Sequence, residues 1–160
     1  METHNETDSI TRDQVLSLDI ATHTGYYSTH RSGTWNFKKK PRDNESIEIL
    51  NFYETLKAFV LQYGIKQIVA EDINVNNHFT DMRKLSEFRG VLKLLCAELN
   101  LPDPKYINVR TVKKWATGNG NADKKMMMEY CKKRWGVDAK DDNEADATHI
   151  FKYYVRIYKL

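Results

Sequence analysis

A chain of 160 residues is long enough for one domain whose core needs no disulfides. Its 41% hydrophobic and 29% charged residues argue against wholesale disorder, and the net charge of +3 says little about partners. No apolar run approaches the roughly 20 residues that span a membrane, and the first residues lack a signal-peptide core. We therefore expect a cytoplasmic protein in which Cys96 and Cys131 are buried thiols.

The first half of the chain predicts a three-stranded antiparallel meander followed by a helical crossover. Residues 1–13 are polar and aperiodic, which is typical of a flexible tail, and we expect one domain over 14–160. The predicted elements are strands over 15–20, 26–30 and 33–37, a basic linker over 38–43, a helix over 44–63 and a strand over 65–71. A helical crossover makes that fourth strand parallel to the first.

The second half predicts one long helix, a short strand and three further helices. After a polar loop over 72–78, the long helix is predicted over 80–99 and the strand over 105–109. The three further helices are predicted over 111–116, 122–135 and 143–158, with Thr111 capping the first of them. Gly90 lies inside the long helix at a cost of roughly 1 kcal/mol relative to alanine, which suggests close approach of another backbone. The whole pattern predicts an α/β fold, with a mixed five-stranded sheet flanked by helices.

Four acidic residues lie at the ends of these elements. Asp19 and Glu71 end two parallel strands and should meet at the carboxyl edge of the sheet, whereas Asp142 and Asp146 share one face of the last helix. Such carboxylates repel one another unless divalent cations lie between them. The set therefore predicts metal-dependent phosphodiester chemistry with Mg²⁺ or Mn²⁺, using two ions about 3.5–4 Å apart in each site.

Each acid also has an ordinary structural explanation. A strand-end Asp19 or Glu71 is a common turn residue, Asp142 could be only a helix cap, and Asp146 in a first turn suits the helix dipole. Taken singly, these explanations are preferred. Taken together, four such residues on converging elements favour a functional site.

A basic segment supplies a second signal. Between Lys105 and Arg134 there are nine basic and two acidic residues, which favours a polyanionic partner over a merely solvated helix face. Within it, Lys113, Lys114, Lys124 and Lys125 flank a glycine-containing loop that could approach phosphate, or that could simply be a mobile connection.

Phe79 lies at the end of the stretch that directly follows Glu71. It could stack against a base as a DNA-binding residue, although a phenylalanine here more often staples the following helix.

Five short motifs occur in order along residues 15–158. They are 18–25 (LDIATHTG), 69–71 (VAE), 87–92 (EFRGVL), 111–124 (TVKKWATGNGNADK) and 142–147 (DNEADA). Together they resemble the motifs of the RuvC family of Holliday junction resolvases, in particular its short phage-type members, which would place the protein in the cytoplasm of a bacterial host. The resemblance implies a ribonuclease-H-like fold, a homodimer, and Mg²⁺-dependent symmetric nicking of two strands at a four-way DNA junction.

By this resemblance, Asp19, Glu71 and Asp146 are catalytic metal ligands, and either Asp142 or Asn143 is the fourth. Many relatives have Asp or His where this chain has Asn143.

The same resemblance makes Lys113 and Lys124 the basic residues nearest the scissile phosphates, and the helix that carries Gly90 a candidate dimer contact.

Two other functions stay open at this level. One is a non-catalytic protein that binds branched DNA on the same fold, for which Asn143 is the best support. The other is a nuclease with the same chemistry that acts on RNA or on RNA–DNA hybrids.

Overall fold

The computed structural model describes residues 9–72 and 79–160, with residues 79–81 described by their backbone alone. A one-turn 3-10 helix, Arg12–Gln14, precedes five strands and five helices in the described residues. These are β1 (Val15–Asp19), β2 (His23–Tyr27), β3 (Ser32–Asn36), α1 (Ser46–Tyr63), β4 (Gln67–Glu71), α2 (Phe79–Glu98), β5 (Lys105–Ile107), α3 (Val109–Thr117), α4 (Lys124–Trp135) and α5 (Asp142–Ile157). No described helix is long and apolar enough to cross a membrane.

The five strands form one mixed sheet in the order β3-β2-β1-β4-β5. The meander β1-β2-β3 is antiparallel, whereas β4 lies parallel to both β1 and β5 because helices α1 and α2 carry the chain back across the sheet. The predicted fold class, a mixed five-stranded sheet flanked by helices, is confirmed.

Each face of the sheet has its own core. Leu16 and Leu18 of β1 point toward α1 and α2, where they pack in a cluster that includes Phe52 and Phe88. Val15, on the opposite face of the same strand, packs against residues of α5. Because side chains alternate along a strand, Asp19 shares the α5 face with Val15.

Some predicted boundaries were wrong because side chains bind the backbone at turns. Strand β2 ends at Tyr27, three residues before its predicted end, because the Ser28 hydroxyl donates to the Arg31 carbonyl and accepts from the Arg31 amide. Strand β5 stops at Ile107, and helix α3 is capped by Asn108 instead of Thr111.

Two further expectations concern Gly90 and the tail. A Cβ atom on Gly90 would meet nothing within 4 Å in the part of the chain that the structure describes, so the expected close approach of another backbone does not occur among those residues. Most of the predicted tail lies outside the described residues, although Arg12 near its end donates to the Leu160 carbonyl at 2.6 Å.

The two cysteines are buried, as predicted, and burial raises each thiol pKa to about 11.

Candidate active site

The first two acids meet at the carboxyl edge of the sheet. Asp19 is the last residue of β1 and Glu71 the last of β4, and the pairing of Leu18 with Ala70 sets them side by side. Both side chains are half-buried, and their carboxyl groups contact each other. Burial raises the pKa of Asp19 well above its usual range, and the negative charges of Glu71 and Asp146 raise it further. Burial also raises the pKa of Glu71.

Helix α5 brings the other two acids to the same place. Asp142 is its first residue, and Asp146 lies one turn later. Burial raises the pKa of Asp146 from 3.8 to about 7, and the charges of Glu71 and Asp142 act in the same direction. The Asp146 Oδ1 atom is buried and has no hydrogen-bond partner in the described part of the chain. A buried carboxylate oxygen without a partner is costly, and a cation would supply one.

Residues of the β2-β3 hairpin hold the start of α5. The Asp141 carboxylate caps the helix by accepting from the Glu144 amide at 2.9 Å, and it also accepts from the Thr34 hydroxyl at 2.6 Å. The buried Glu144 carboxylate accepts from the Ser32 hydroxyl at 2.7 Å and from the Lys140 amide at 2.9 Å. These bonds fix where α5 begins and therefore where its two acids point.

Gly25 completes this support. It pairs with Asp19 across the sheet, and a Cβ atom at this position would lie 1.9 Å from the Asn143 carbonyl oxygen. Only a residue without a side chain lets the first turn of α5 rest directly on β2.

Sequence reasoning missed the roles of Asp141 and Glu144. The spacing of an Asp and a Glu three residues apart before an apolar run is a capping-box pattern and was a usable signal. Their partners lie in β3: Ser32 is 112 positions from Glu144, and Thr34 is 107 positions from Asp141. No local pattern could have shown those contacts.

Of the predicted basic residues, two border the acids. The positive charge of Lys113 on α3 offsets part of the rise in the pKa values of Glu71 and Asp146, and Lys124 Nζ lies 3.6 Å from Asp142 Oδ2. Lys114 lines a neighbouring cleft with Arg110 and the loop 118–121.

The other two predicted DNA-binding residues are not brought to the acids. Lys125 is exposed on α4, and no described contact joins it to the acids. The side chain of Phe79 lies outside the described residues.

The donor set fits a hard divalent cation. Carboxylate oxygens are the ligands that such ions prefer, and a cation would offset the burial and the mutual repulsion that raise the carboxyl pKa values of Asp19 and Asp146. As the side chains stand, however, no three acidic, histidine or cysteine residues in the described part of the chain converge closely enough to hold an ion.

Comparison with known proteins decides the family. The family profile described as crossover junction endodeoxyribonuclease RuvC matches residues 27–150 of this chain. The chain belongs to the RuvC family. This result confirms the resemblance and the expected enzyme class, crossover junction endodeoxyribonuclease.

Individual relatives agree with that assignment. The RuvC of Rickettsia conorii is 29% identical over 133 residues, which covers 82% of this chain and 83% of the relative. The RuvC of Rickettsia africae is 33% identical over 121 residues, with 74% and 75% covered. Among solved structures, Thermus thermophilus RuvC in complex with a Holliday junction substrate superposes with a TM-score of 0.71 at 16% identity, covering 89% of this chain and 94% of that one. This superposition confirms the ribonuclease-H-like fold.

The RuvC-type acid cluster predicts that the metal-free protein loses stability as pH rises. Between pH 3.8 and about 7 the unfolded chain has released the Asp146 proton, whereas the folded chain still holds it. The folded state then binds more protons, so the free energy of unfolding falls across this window and levels off above it. Thermal unfolding is measured in EDTA from pH 4 to 8 for the wild type and for Asp146→Asn. The free energy of unfolding should fall with pH more steeply in the wild type than in the variant. A decline of equal size in both proteins would contradict the prediction.

Proposed function

We propose that this protein is a Mg²⁺-dependent endonuclease that resolves four-way DNA junctions by paired, symmetric nicks. The observation that carries the proposal is the gathering of Asp19, Glu71 and Asp146 at one sheet edge beside Lys113 and Lys124, in a chain of the RuvC family. The solved complex of the Thermus thermophilus relative with a Holliday junction substrate supports the choice of DNA.

RuvC-family enzymes are metal-dependent nucleases. Here Asp19, Glu71 and Asp146 would hold the ions, with Mg²⁺ as the natural metal, Mn²⁺ as a substitute and two ions in each site. When bound, the ions would activate a water molecule for attack on the phosphodiester and stabilise the leaving oxygen. We assign Asp142 as the fourth ligand in preference to Asn143, because the Asp142 charge already acts on both Asp19 and Asp146.

The neighbouring lysines suit the substrate phosphate. The side chain of Lys124 is 84% exposed, so its contact with the 30% exposed Asp142 is a weak surface ion pair that a phosphate can replace. Lys113 lies close enough to Glu71 and Asp146 to act on both carboxyl groups, which places a positive charge beside the scissile position. Lys114, with the loop 118–121, and the exposed Lys125 extend the basic surface along the strand to be cut.

A nicking assay tests the function. A labelled four-way junction is incubated with the protein and Mg²⁺ beside a linear duplex, a single strand and an RNA–DNA hybrid of the same sequence. Paired symmetric cuts near the branch point, absent from the linear duplex, are expected. Tight binding without cuts under any divalent metal would favour the non-catalytic function, and cuts confined to the hybrid would change the substrate.

We further propose that the active form is a homodimer whose contact is the groove between α1 and α2. Two equivalent strands require two active sites related by symmetry. The exposed side chains of Leu50 and Leu94, the latter 63% exposed, line this groove together with the half-buried Ile47, Tyr53 and Val91. Gly90 lies next to Val91, and no atom of the described residues lies within 4 Å of a Cβ added there, so the α2 helix of a second copy could approach closely.

Leu94→Glu should therefore convert the dimer to a monomer, because it would bury a carboxylate in an apolar contact. Leu61→Glu is the matched control, since Leu61 is also 63% exposed but does not line the groove. Analytical ultracentrifugation across a concentration series measures the result. Equal association of the two variants would exclude this groove as the dimer contact.

A further inference from the structure

The segment between β3 and α1 is strongly basic, and the proposed active site does not use it. Residues 38–42 read KKKPR, with four positive charges in five residues. Lys38, Lys40 and Arg42 are exposed, and within the described residues none of them forms an ion pair with a carboxylate. Like charges concentrated in this way attract a polyanion.

This segment lines a cleft that reaches the catalytic edge of the sheet. Lys38 and Lys39 form one wall together with Thr22, in the turn that follows Asp19, and His23, the first residue of β2. The Phe37 amide donates to the Thr22 carbonyl at 2.8 Å, which joins the start of the basic segment to that turn. The basic segment is therefore held beside the catalytic edge.

The opposite wall of the cleft comes from the start of α2. Arg83 and Lys84 line it, with Phe88 at its base. Because α1 and α2 cover the sheet face opposite to α5, the cleft opens on the other side of the sheet from Lys113 and Lys124. Positive charge thus flanks the catalytic edge on both faces.

The cleft keeps a net positive charge despite its three acidic residues. Glu48 is buried, and its carboxylate accepts from the Lys39 amide at 3.1 Å and pairs with Lys84 at 2.9 Å. These bonds hold the basic segment against α1 and neutralise that carboxylate. The two other acids of the cleft, Glu45 and Glu87, are exposed and are outnumbered by the basic side chains of the segment and of α2.

We propose that this basic cleft binds the phosphate backbone of a second duplex arm of the branched substrate, an arm that the adjacent active site does not cut. The inference rests on the proposed function. A linear duplex held on the α5 side by Lys113 and Lys124 has no second arm to place on the opposite face. A branched DNA sends another arm away from the cut position, and the cleft offers that arm a positively charged surface beginning at the catalytic edge.

Salt-dependent binding to a four-way junction and to a linear duplex tests the proposal. Binding is measured in EDTA, so that the DNA stays intact, for the wild-type protein and for Lys38→Ala/Lys39→Ala, which removes the two lysines of the segment that line the cleft. The control is Lys66→Ala/Arg156→Ala, which removes two exposed charges at the opposite edge, before β4 and near the end of α5. Circular dichroism melts establish that both variants are folded.

The cleft variant should bind the junction about tenfold more weakly at 0.1 M salt, with the salt slope reduced by about 2, since each phosphate contact contributes about 0.9. Binding to the linear duplex should change less than twofold, and the control should match the wild type on both DNAs. Unchanged junction binding and slope would overturn the proposal. Equal losses on both DNAs would also overturn it, because the cleft would then contact the cut arm. The nicking assay judges the proposed function separately, since binding here needs no metal.

Discussion

Asp19→Asn is expected to reduce cleavage of a four-way junction by at least about 10³-fold while raising the melting temperature of the metal-free protein. Cleavage is lost because the amide keeps the shape of the carboxyl group but not the charge that a divalent cation requires. Stability rises because Asp19 has a pKa well above its usual range in the folded state, owing to burial and to the charges of Glu71 and Asp146. At neutral pH, ionisation of Asp19 therefore favours the unfolded chain, and asparagine removes that penalty.

Two measurements on the same protein check this prediction: nicking of a labelled junction with Mg²⁺, and thermal unfolding in EDTA at pH 7.5. Asp138→Asn is the control, since Asp138 is an exposed acid in the connection before α5. Junction binding should stay near the wild-type level. Nicking by Asp19→Asn at the wild-type rate would remove Asp19 from the site, and a lower melting temperature would contradict the electrostatic account.

Gly25→Ala is the second substitution with a large expected effect. Its new Cβ atom would lie 1.9 Å from the carbonyl oxygen of Asn143 and 2.3 Å from the carbonyl carbon, so the first turn of α5 would have to move. Overpacking of this kind typically destabilises a protein by about 1–3 kcal/mol. A shift of about 1 Å at a catalytic group can by itself reduce the rate about 100-fold. We therefore expect a lower melting temperature and a loss of nicking far larger than the unfolded fraction explains.

The control is Gly120→Ala, where the nearest atom to an added Cβ is the Arg110 carbonyl oxygen at an ordinary 3.5 Å. Its melting temperature should stay close to that of the wild type. Affinity for the junction in EDTA should survive in Gly25→Ala, because the basic surfaces do not depend on the start of α5. Wild-type nicking by Gly25→Ala would show that α5 tolerates the displacement.

Parts of the site were predictable from sequence because they follow from strand geometry. Asp19 and Glu71 end two strands joined by a helical crossover, and parallel neighbours bring their carboxyl ends together regardless of other details. The spacing of Asp142 and Asp146 likewise places both on one face of a helix once the helix exists.

Other parts were not predictable, because they depend on contacts between distant residues. The position of α5 is set by Gly25 beneath Asn143 and by hydroxyl groups of β3 that bind Asp141 and Glu144. Strand β2 ends early because the Ser28 hydroxyl bonds to the backbone of Arg31, and these bonds replace strand pairing. The residue pattern over 26–30 gave no sign of them.

The contact between Ser17 and Ala147 has a consequence for synthesis of the protein. The buried Ser17 hydroxyl donates to the Ala147 carbonyl at 2.6 Å across 130 positions of sequence, so β1 cannot bind α5 until synthesis has passed position 147. A nascent chain on the ribosome would carry Asp19 and Glu71 long before Asp146 emerges. On the proposed site, DNA cleavage is therefore impossible for a nascent chain that lacks α5, and release of α5 from the ribosome is the step that creates the nuclease.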